Sequence, residues 1–295
     1  MKELLPPDLR VLVEDHFGRR LVRWQRPDCG LSATIRLSTE LENGQHVFIK
    51  AATDDETAAW LRTEYLALTT LAGDFMPGVI GWLDNVGMYP VLITQDLSHA
   101  YWPASHQGVQ WREGDFQRVI EATKALGAMA APDVLPVLSR PATSIWEKIA
   151  NHASSFLALG LCTERWFRGT VVTLADAEMR LVSSGNSLVH GDVRSDNICL
   201  FKNRVMFVDW SHAARGSERY DLANLLPTLH LEGGPTPFSV MPDGGREAAA
   251  ACAAHAYRLF NDRAMPDWLK RVFVQLIRIE FEWAVACLKL GRPEG

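Results

Sequence analysis

Apolar and polar positions change rhythm about a third of the way along the chain. After a short amphipathic helix around Pro7 to Phe17, residues 20–25, 33–41 and 46–52 read as strands. The second and third flank Glu42-Asn43-Gly44-Gln45, a hairpin turn in which Asn and Gly tolerate positive φ. Residues 54–73 then carry acidic groups in a first turn, apolar residues at helical spacing and a closing Gly73, which together predict a helix. Two more strands are expected over 80–87 and 89–97. Beyond Asp115 the period becomes 3.6, predicting helices over 116–131, 144–160, 165–184, 218–230, 246–262 and 266–291. The exception is 187–210, which reads as a loop and two short strands. A Gly- and Pro-rich linker, 232–245, separates two of the helices. The pattern predicts an α+β chain with a small β-rich part over 1–97 and a larger, mainly helical part over 98–295.

Composition narrows the class without naming a function. A chain of 295 residues buries about 75 % of its unfolded surface, enough for a sizeable core without metal or disulfide staples. Thirty basic against 35 acidic side chains leave a net charge of −5, which argues against broad nucleic-acid binding while allowing a local basic cleft for phosphate. The five cysteines form no C-x-x-C pair and several sit in apolar runs, as expected of reduced thiols in a reducing compartment. The first ten residues lack an apolar h-region and no stretch approaches 18 apolar residues, so the expectation is a soluble, cytoplasmic protein without a membrane partner.

The chemistry concentrates in His190-Gly191-Asp192, Asn197 five positions after the aspartate, and Phe207-Val208-Asp209-Trp210, with apolar strand residues leading into both groups. A carboxylate, an amide and a second carboxylate on the next hairpin are the parts a phosphoryl-transfer site needs, since that reaction asks mainly for positioning and charge neutralisation. Asp192 can accept the proton of an attacking hydroxyl. Asn197 and Asp209 offer hard oxygen ligands to Mg²⁺. His/Cys spacing suggests no zinc site.

HGDVRSDNICL, FVDW and RGSERYDLA resemble the aminoglycoside phosphotransferase and choline-kinase-like family of small-molecule kinases. The resemblance implies the bilobal fold of protein kinases, ATP or GTP with Mg²⁺, and a small hydroxylated substrate. It implies Asp192 as catalytic base, His190 as support of the catalytic loop, Asn197 and Asp209 as metal ligands, and Asp221 as a structural or substrate-side carboxylate. Lys50, on the third strand, is expected to reach nucleotide phosphates as a point charge. Its expected partner is Glu64; Glu56 sits at the helix start, where it favours the helix dipole. The loop over 28–34 carries a single glycine where protein kinases have G-x-G-x-x-G; its backbone N–H groups and the Ser32 hydroxyl are candidate phosphate donors. Main-chain groups from Gln95 to Leu97 are placed at the adenine edge by the resemblance alone. Arg194 stands where the family commonly has His, either to neutralise the transferring phosphate or to pair on the surface. Ser211 stands where the family often has an acidic residue or Gly.

Twelve positions separate Asp209 from Asp221, too few for a protein-kinase activation segment, so a small acceptor is expected. Glu280 and Glu282 are candidate pocket carboxylates for a cationic acceptor, of which at most one can face it because they are two apart on a helix. Trp102, Trp111, Trp146, Trp166, Trp268 and Trp283 suit either a core or an aromatic acceptor. The leading reading is an ATP-dependent O-phosphotransferase that inactivates an antibiotic, aminoglycoside-like or another hydroxylated natural product. The alternatives are a metabolic kinase for a sugar, choline or amino-alcohol, and a nucleotide-binding pseudokinase. The sequence is silent on oligomeric state.

Overall fold

The computed structural model describes residues 5–27, 33–85, 88–105, 107–140 and 142–293. In chain order the first elements are α1 (Pro7–Phe17), β1 (Leu21–Gln25), β2 (Ile35–Leu41), β3 (His46–Ala51), α2 (Asp55–Thr70), β4 (Val79–Leu83) and β5 (Val91–Gln95). A short hairpin, β6 (Ala104–Ser105) and β7 (Gly108–Val109), precedes α3 (Asp115–Gly127), α4 (Ile145–Asn151), α5 (Ser154–Leu157) and α6 (Glu164–Met179). Then come β8 (Ser187–Val189), β9 (Ile198–Phe201), β10 (Arg204–Phe207) and β11 (Ala214–Gly216), followed by α7 (Tyr220–Leu231), α8 (Pro237–Val240), α9 (Gly245–Asn261) and α10 (Asp267–Leu288). Among the described residues no helix is long and apolar enough to cross a membrane.

The chain divides into two compact units. The first comprises Met1–Trp111, Pro132–Leu135 and His190–Ala213; the second comprises Arg112–Ala131, Pro136–Val189 and Ala214–Gly295. In the first, an antiparallel sheet runs in the order β1-β2-β3-β5-β4. Strand alternation sorts its side chains. Val47, Ile49 and Ala51 of β3, with Leu37 and Leu41 of β2, join Leu9 and Val13 of α1 in one apolar core. Lys50 and Arg36, one step out of phase with those residues, therefore stand on the opposite face. The β2–β3 register makes them direct partners. The turn between these strands places Gly44 at φ 82°, while Asn43 keeps negative φ and accepts a hydrogen bond from Gln45 N–H.

Helix α2 starts as its sequence predicts. Asp54 caps it by accepting from Thr57 N–H, and the Thr57 hydroxyl answers on the cap's own N–H. Its end differs: the helix stops at Thr70 with an extended Leu71, so Gly73 lies beyond the cap. Further along, β9 and β10 are joined by the two residues Lys202 and Asn203, both at positive φ. That is a type I′ hairpin turn, and it locks the pairing Phe207 to Ile198.

The second unit is mainly helical. Trp146, Phe156, Phe167 and Phe281 interlock, with ring centroids 5.2 to 6.4 Å apart, and the Trp146 indole donates to the Ala249 carbonyl. The helix expected over 144–160 is two pieces, because His152 leaves helical geometry and α5 restarts at Ser154. The 232–245 linker holds one short helix, α8.

Replacing Asn203 by Val places a β-branched residue at a φ of 63°. We expect a loss of about 1–2 kcal/mol in urea unfolding, with the same unfolding slope.

Candidate active site

Lys50 is nearly sealed from water and donates to both carboxylate oxygens of Glu64, at 2.7 and 2.8 Å. Glu64 lies on α2, one helical turn after Trp60, whose ring packs against His212. Glu56 stays exposed in the helix's first turn, so the expected partner is the one the structure pairs. Lys50 Nζ also lies 3.3 Å from Asp209 Oδ1, and Arg36 Nη2 lies 3.6 Å from Asp209 Oδ2. Burial by itself would lower the Lys50 pKa, but the charges of Asp209 and Glu64 outweigh it and hold the ammonium above its ordinary value. Burial likewise works to raise Asp209. Lys50 and Arg36 overcome it, with a hydrogen bond from Ser211 Oγ at 3.0 Å, and the carboxyl sits well below the usual range.

Backbone geometry brings the two candidate metal ligands together. Asn197 precedes β9 and Asp209 follows β10 by two residues. Across the hairpin, Val208 N–H donates to the Asn197 carbonyl at 2.9 Å. Asp209 itself adopts left-handed geometry, φ 65° and ψ 63°, as the chain turns into the Trp210–His212 3-10 turn. Among the described residues no group of three or more His, Cys, Asp or Glu side chains is placed to hold a metal ion. Mg²⁺ needs none, since it binds through one or two protein oxygens plus substrate phosphates. Asp209 and the Asn197 amide oxygen fit that description.

The loop over 190–197 is built around a neutral histidine. His190 is fully buried, its ring 4.6 Å from that of Trp210. Asp192 N–H donates to Nδ1 at 3.3 Å, which leaves the proton on Nε2 to be donated to the Val208 carbonyl at 3.0 Å. Burial pushes its pKa down to about 4. Gly191 makes the bend possible at φ 85°, where an added Cβ would lie 2.4 Å from the His212 carbonyl oxygen. The loop then returns on itself: Asn197 Nδ2 donates to the Asp192 carbonyl at 2.9 Å and to Asp192 Oδ2 at 2.8 Å. The Asp192 carboxylate, one-third exposed, is thus oriented at its oxygen while open to a substrate. Arg194 lies 3.0 Å from Asp196 and 3.4 Å from Asp192, so its charge is shared between two carboxylates.

Lys50, Glu64, Asp209, Asn197, Asp192, His190 and Arg194 all belong to the first unit. Ser32 lies outside the described residues. At the 95–97 bend, Gln95 N–H donates to the Gly78 carbonyl, and the Leu97 carbonyl accepts from Ala100 N–H and Trp102 Nε1. Arg36 is the site residue that sequence reading missed: a two-residue Asn43-Gly44 turn would pair Lys50 with Leu37, whereas the loop here is the three residues 42–44, with Gly44 at positive φ, which moves the register by one and sets Arg36 opposite Lys50. Glu280 is sealed within the second unit and accepts from His255 Nδ1 at 2.8 Å, while Glu282 is exposed. Trp146 and Trp283 are core, and Trp268 is exposed.

A family model described as "Phosphotransferase enzyme family" matches residues 92–268. No curated protein sequence matches the chain. Among solved structures, the GDP and kanamycin complex of APH(2")-IIia superposes with a TM-score of 0.60 at 14% identity, covering 94% of this chain and 99% of that one. The apoenzyme of macrolide 2'-phosphotransferase MphH from Brachybacterium faecium gives 0.56 at 15% identity, with 98% and 100% covered. A choline/ethanolamine kinase family protein from Mesorhizobium loti gives 0.53 at 14% identity, with 91% and 93% covered.

His190 carries a pH prediction. Its folded pKa of about 4 lies below the ordinary imidazole value of 6.5, so only the unfolded chain takes up the proton between those values. This group's contribution to stability is complete above pH 6.5 and falls as pH drops toward 4, by about 3 kcal/mol in all. Urea unfolding between pH 7.5 and 4.5 reads it. His190→Gln lowers stability at pH 7.5 and flattens the slope below pH 6.5; parallel slopes for the two proteins would mean His190 is not held neutral.

Proposed function

The chain belongs to the phosphotransferase enzyme family, and we propose that it transfers the γ-phosphate of ATP or GTP to a hydroxyl of a small molecule. The observation that carries this reading is the convergence of Lys50, Glu64 and Asp209 within hydrogen-bonding and ion-pair distance, beside an Asp192 carboxylate aligned by Asn197. Lys50, kept charged and aimed by Glu64, binds nucleotide phosphate. Asp209 and Asn197 hold Mg²⁺, which supplies neutralisation of the phosphate charge. Asp192 orients the acceptor hydroxyl and takes up its proton. Asn197 holds that carboxylate at Oδ2, and Oδ1, which lies 3.4 Å from Arg194, is the oxygen the acceptor would meet. Arg194, next to Asp192, offers positive charge to the transferring group.

A small acceptor is supported by the chain between Asp209 and α7, which the Trp210–His212 turn and β11 occupy almost completely. We place an antibiotic first, inactivated by phosphorylation so as to confer resistance. The structures of an aminoglycoside complex and a macrolide phosphotransferase among the similar folds suggest where to look. Glu280 adds nothing to recognition of a cationic acceptor, because it is buried and bonded to His255 inside the second unit. The thiols of Cys162 and Cys199, which burial pushes up to about 11 and about 12, are inert small hydrophobes suited to a reducing cytoplasm.

The test is mass spectrometry of aminoglycosides, macrolides and hydroxylated metabolites incubated with protein, Mg²⁺ and ATP or GTP. A gain of about 80 Da on an antibiotic supports the leading reading, and the same gain on a metabolite alone replaces it with a metabolic kinase. No ADP or GDP release from any mixture, with nucleotide still bound, overturns transferase activity toward these classes. Asp192→Ala should lower turnover by about 10²–10⁴-fold while leaving ATP affinity unchanged. Asp209→Ala should instead weaken Mg·ATP binding, measured by titration calorimetry; unchanged affinity would move the metal site elsewhere.

A further inference from the structure

Two cations face each other across β2 and β3, and only one of them has a role in the reading above. Arg36 and Lys50 are register partners on the same face of the sheet, with side chains 12% and 9% exposed. Like charges directly opposite on paired strands repel, and burial makes the repulsion worse. Apolar or neutral residues would suit a purely structural face at lower cost. Here Glu64 neutralises Lys50 from α2, while Asp209 stands between the cations, one oxygen toward each, at 3.3 Å from Lys50 and 3.6 Å from Arg36. Arg36 Nη1 also donates to the Thr34 carbonyl at 3.3 Å, which steadies the guanidinium at the start of β2.

We propose that Arg36 is a second phosphate-binding cation of the nucleotide site, acting beside Lys50. The inference rests on the phosphotransferase reading and extends it to a residue outside the family motifs quoted above. Were Asp209 to hold a metal ion, its charge would be shared with that ion, and phosphate oxygens are the anions that would complete the neutralisation of Lys50 and Arg36. The division of labour follows from shape. Lys50 is a compact point charge held by Glu64, whereas the planar guanidinium of Arg36 offers parallel N–H groups that can bridge two phosphate oxygens. Arg36 thereby favours nucleotides over nucleosides, with no contribution to recognition of the base.

The experiment is titration calorimetry of the full-length protein, without acceptor, against ATP, ADP and adenosine in Mg²⁺, and ATP without Mg²⁺, repeated with GTP and guanosine. Arg36→Gln should weaken Mg·ATP binding by about 10–100-fold, the range for lost hydrogen bonds to a charged group. Adenosine affinity should change by less than about twofold, and Arg36→Lys should recover only part of the loss, since it restores charge without the fork. Thermal unfolding of each variant identifies any that fails to fold, in which case Arg36→Lys and Arg36→Met carry the comparison. Equal loss for adenosine and ATP assigns Arg36 a structural role and overturns the proposal. Unchanged Mg·ATP affinity in folded Arg36→Gln also overturns it, with the phosphotransferase reading intact. A wild-type protein that binds neither ATP nor GTP overturns that reading and the proposal with it.

Discussion

Two cations and two carboxylates, held nearly out of water on one face of a small sheet, set the terms for everything around them. Lys50 and Arg36 come from paired strands, Glu64 from the helix that follows and Asp209 from a hairpin more than a hundred residues later. Removing one partner from such a group leaves an uncompensated buried charge, which is strongly destabilising. The β2–β3 register, the seating of α2 against the Trp210–His212 turn and the reach of the β9–β10 hairpin are therefore coupled constraints. A slip of one residue in β3 would send Lys50 into the apolar core and Ile49 into the charge cluster.

The same constraint explains where the backbone departs from ordinary geometry. Gly191 bends the loop that carries Asp192 where no side chain fits, Asp209 takes a left-handed conformation, and Lys202 and Asn203 form the tight turn between β9 and β10. Such conformations persist where the surrounding structure over-determines them. His190 is a large part of that surrounding structure. Neutral and buried against Trp210, it joins the Asp192 amide to the Val208 carbonyl, so the segment bearing Asp192 and the segment bearing Asp209 are linked through one side chain. Asn197 adds a second link through its side chain to Asp192 and its carbonyl to Val208 N–H.

Local features of the site were legible because they depend on neighbours in the chain. The spacing of Asp192, Asn197 and Asp209, the strand position of Lys50 and the choice of Glu64 over Glu56 all follow from alternation and helical phase. Arg36 was not legible, because it belongs to no motif and the turn read over 42–45 counts to Leu37 opposite Lys50; the three-residue loop that the structure forms shifts the register by one. Other features depend on distant partners. The break at His152 and the short β6–β7 hairpin carry weak local signals, and the fate of Glu280 depends on His255, a residue on a different helix.

By itself the sequence determined the main strands and the long helices, the reaction class through spaced carboxylates and an amide, and the family. Those rest on periodicities and spacings of a few residues, which the backbone enforces locally. Tertiary structure alone decided that His190–Ala213 groups with the N-terminal sheet, that Asp209 lies between Lys50 and Arg36, and that Glu280 is buried against His255 within the second unit. The physical reason is the same in each case. The energy of a buried charge is settled by whatever faces it, and what faces it here comes from other parts of the chain.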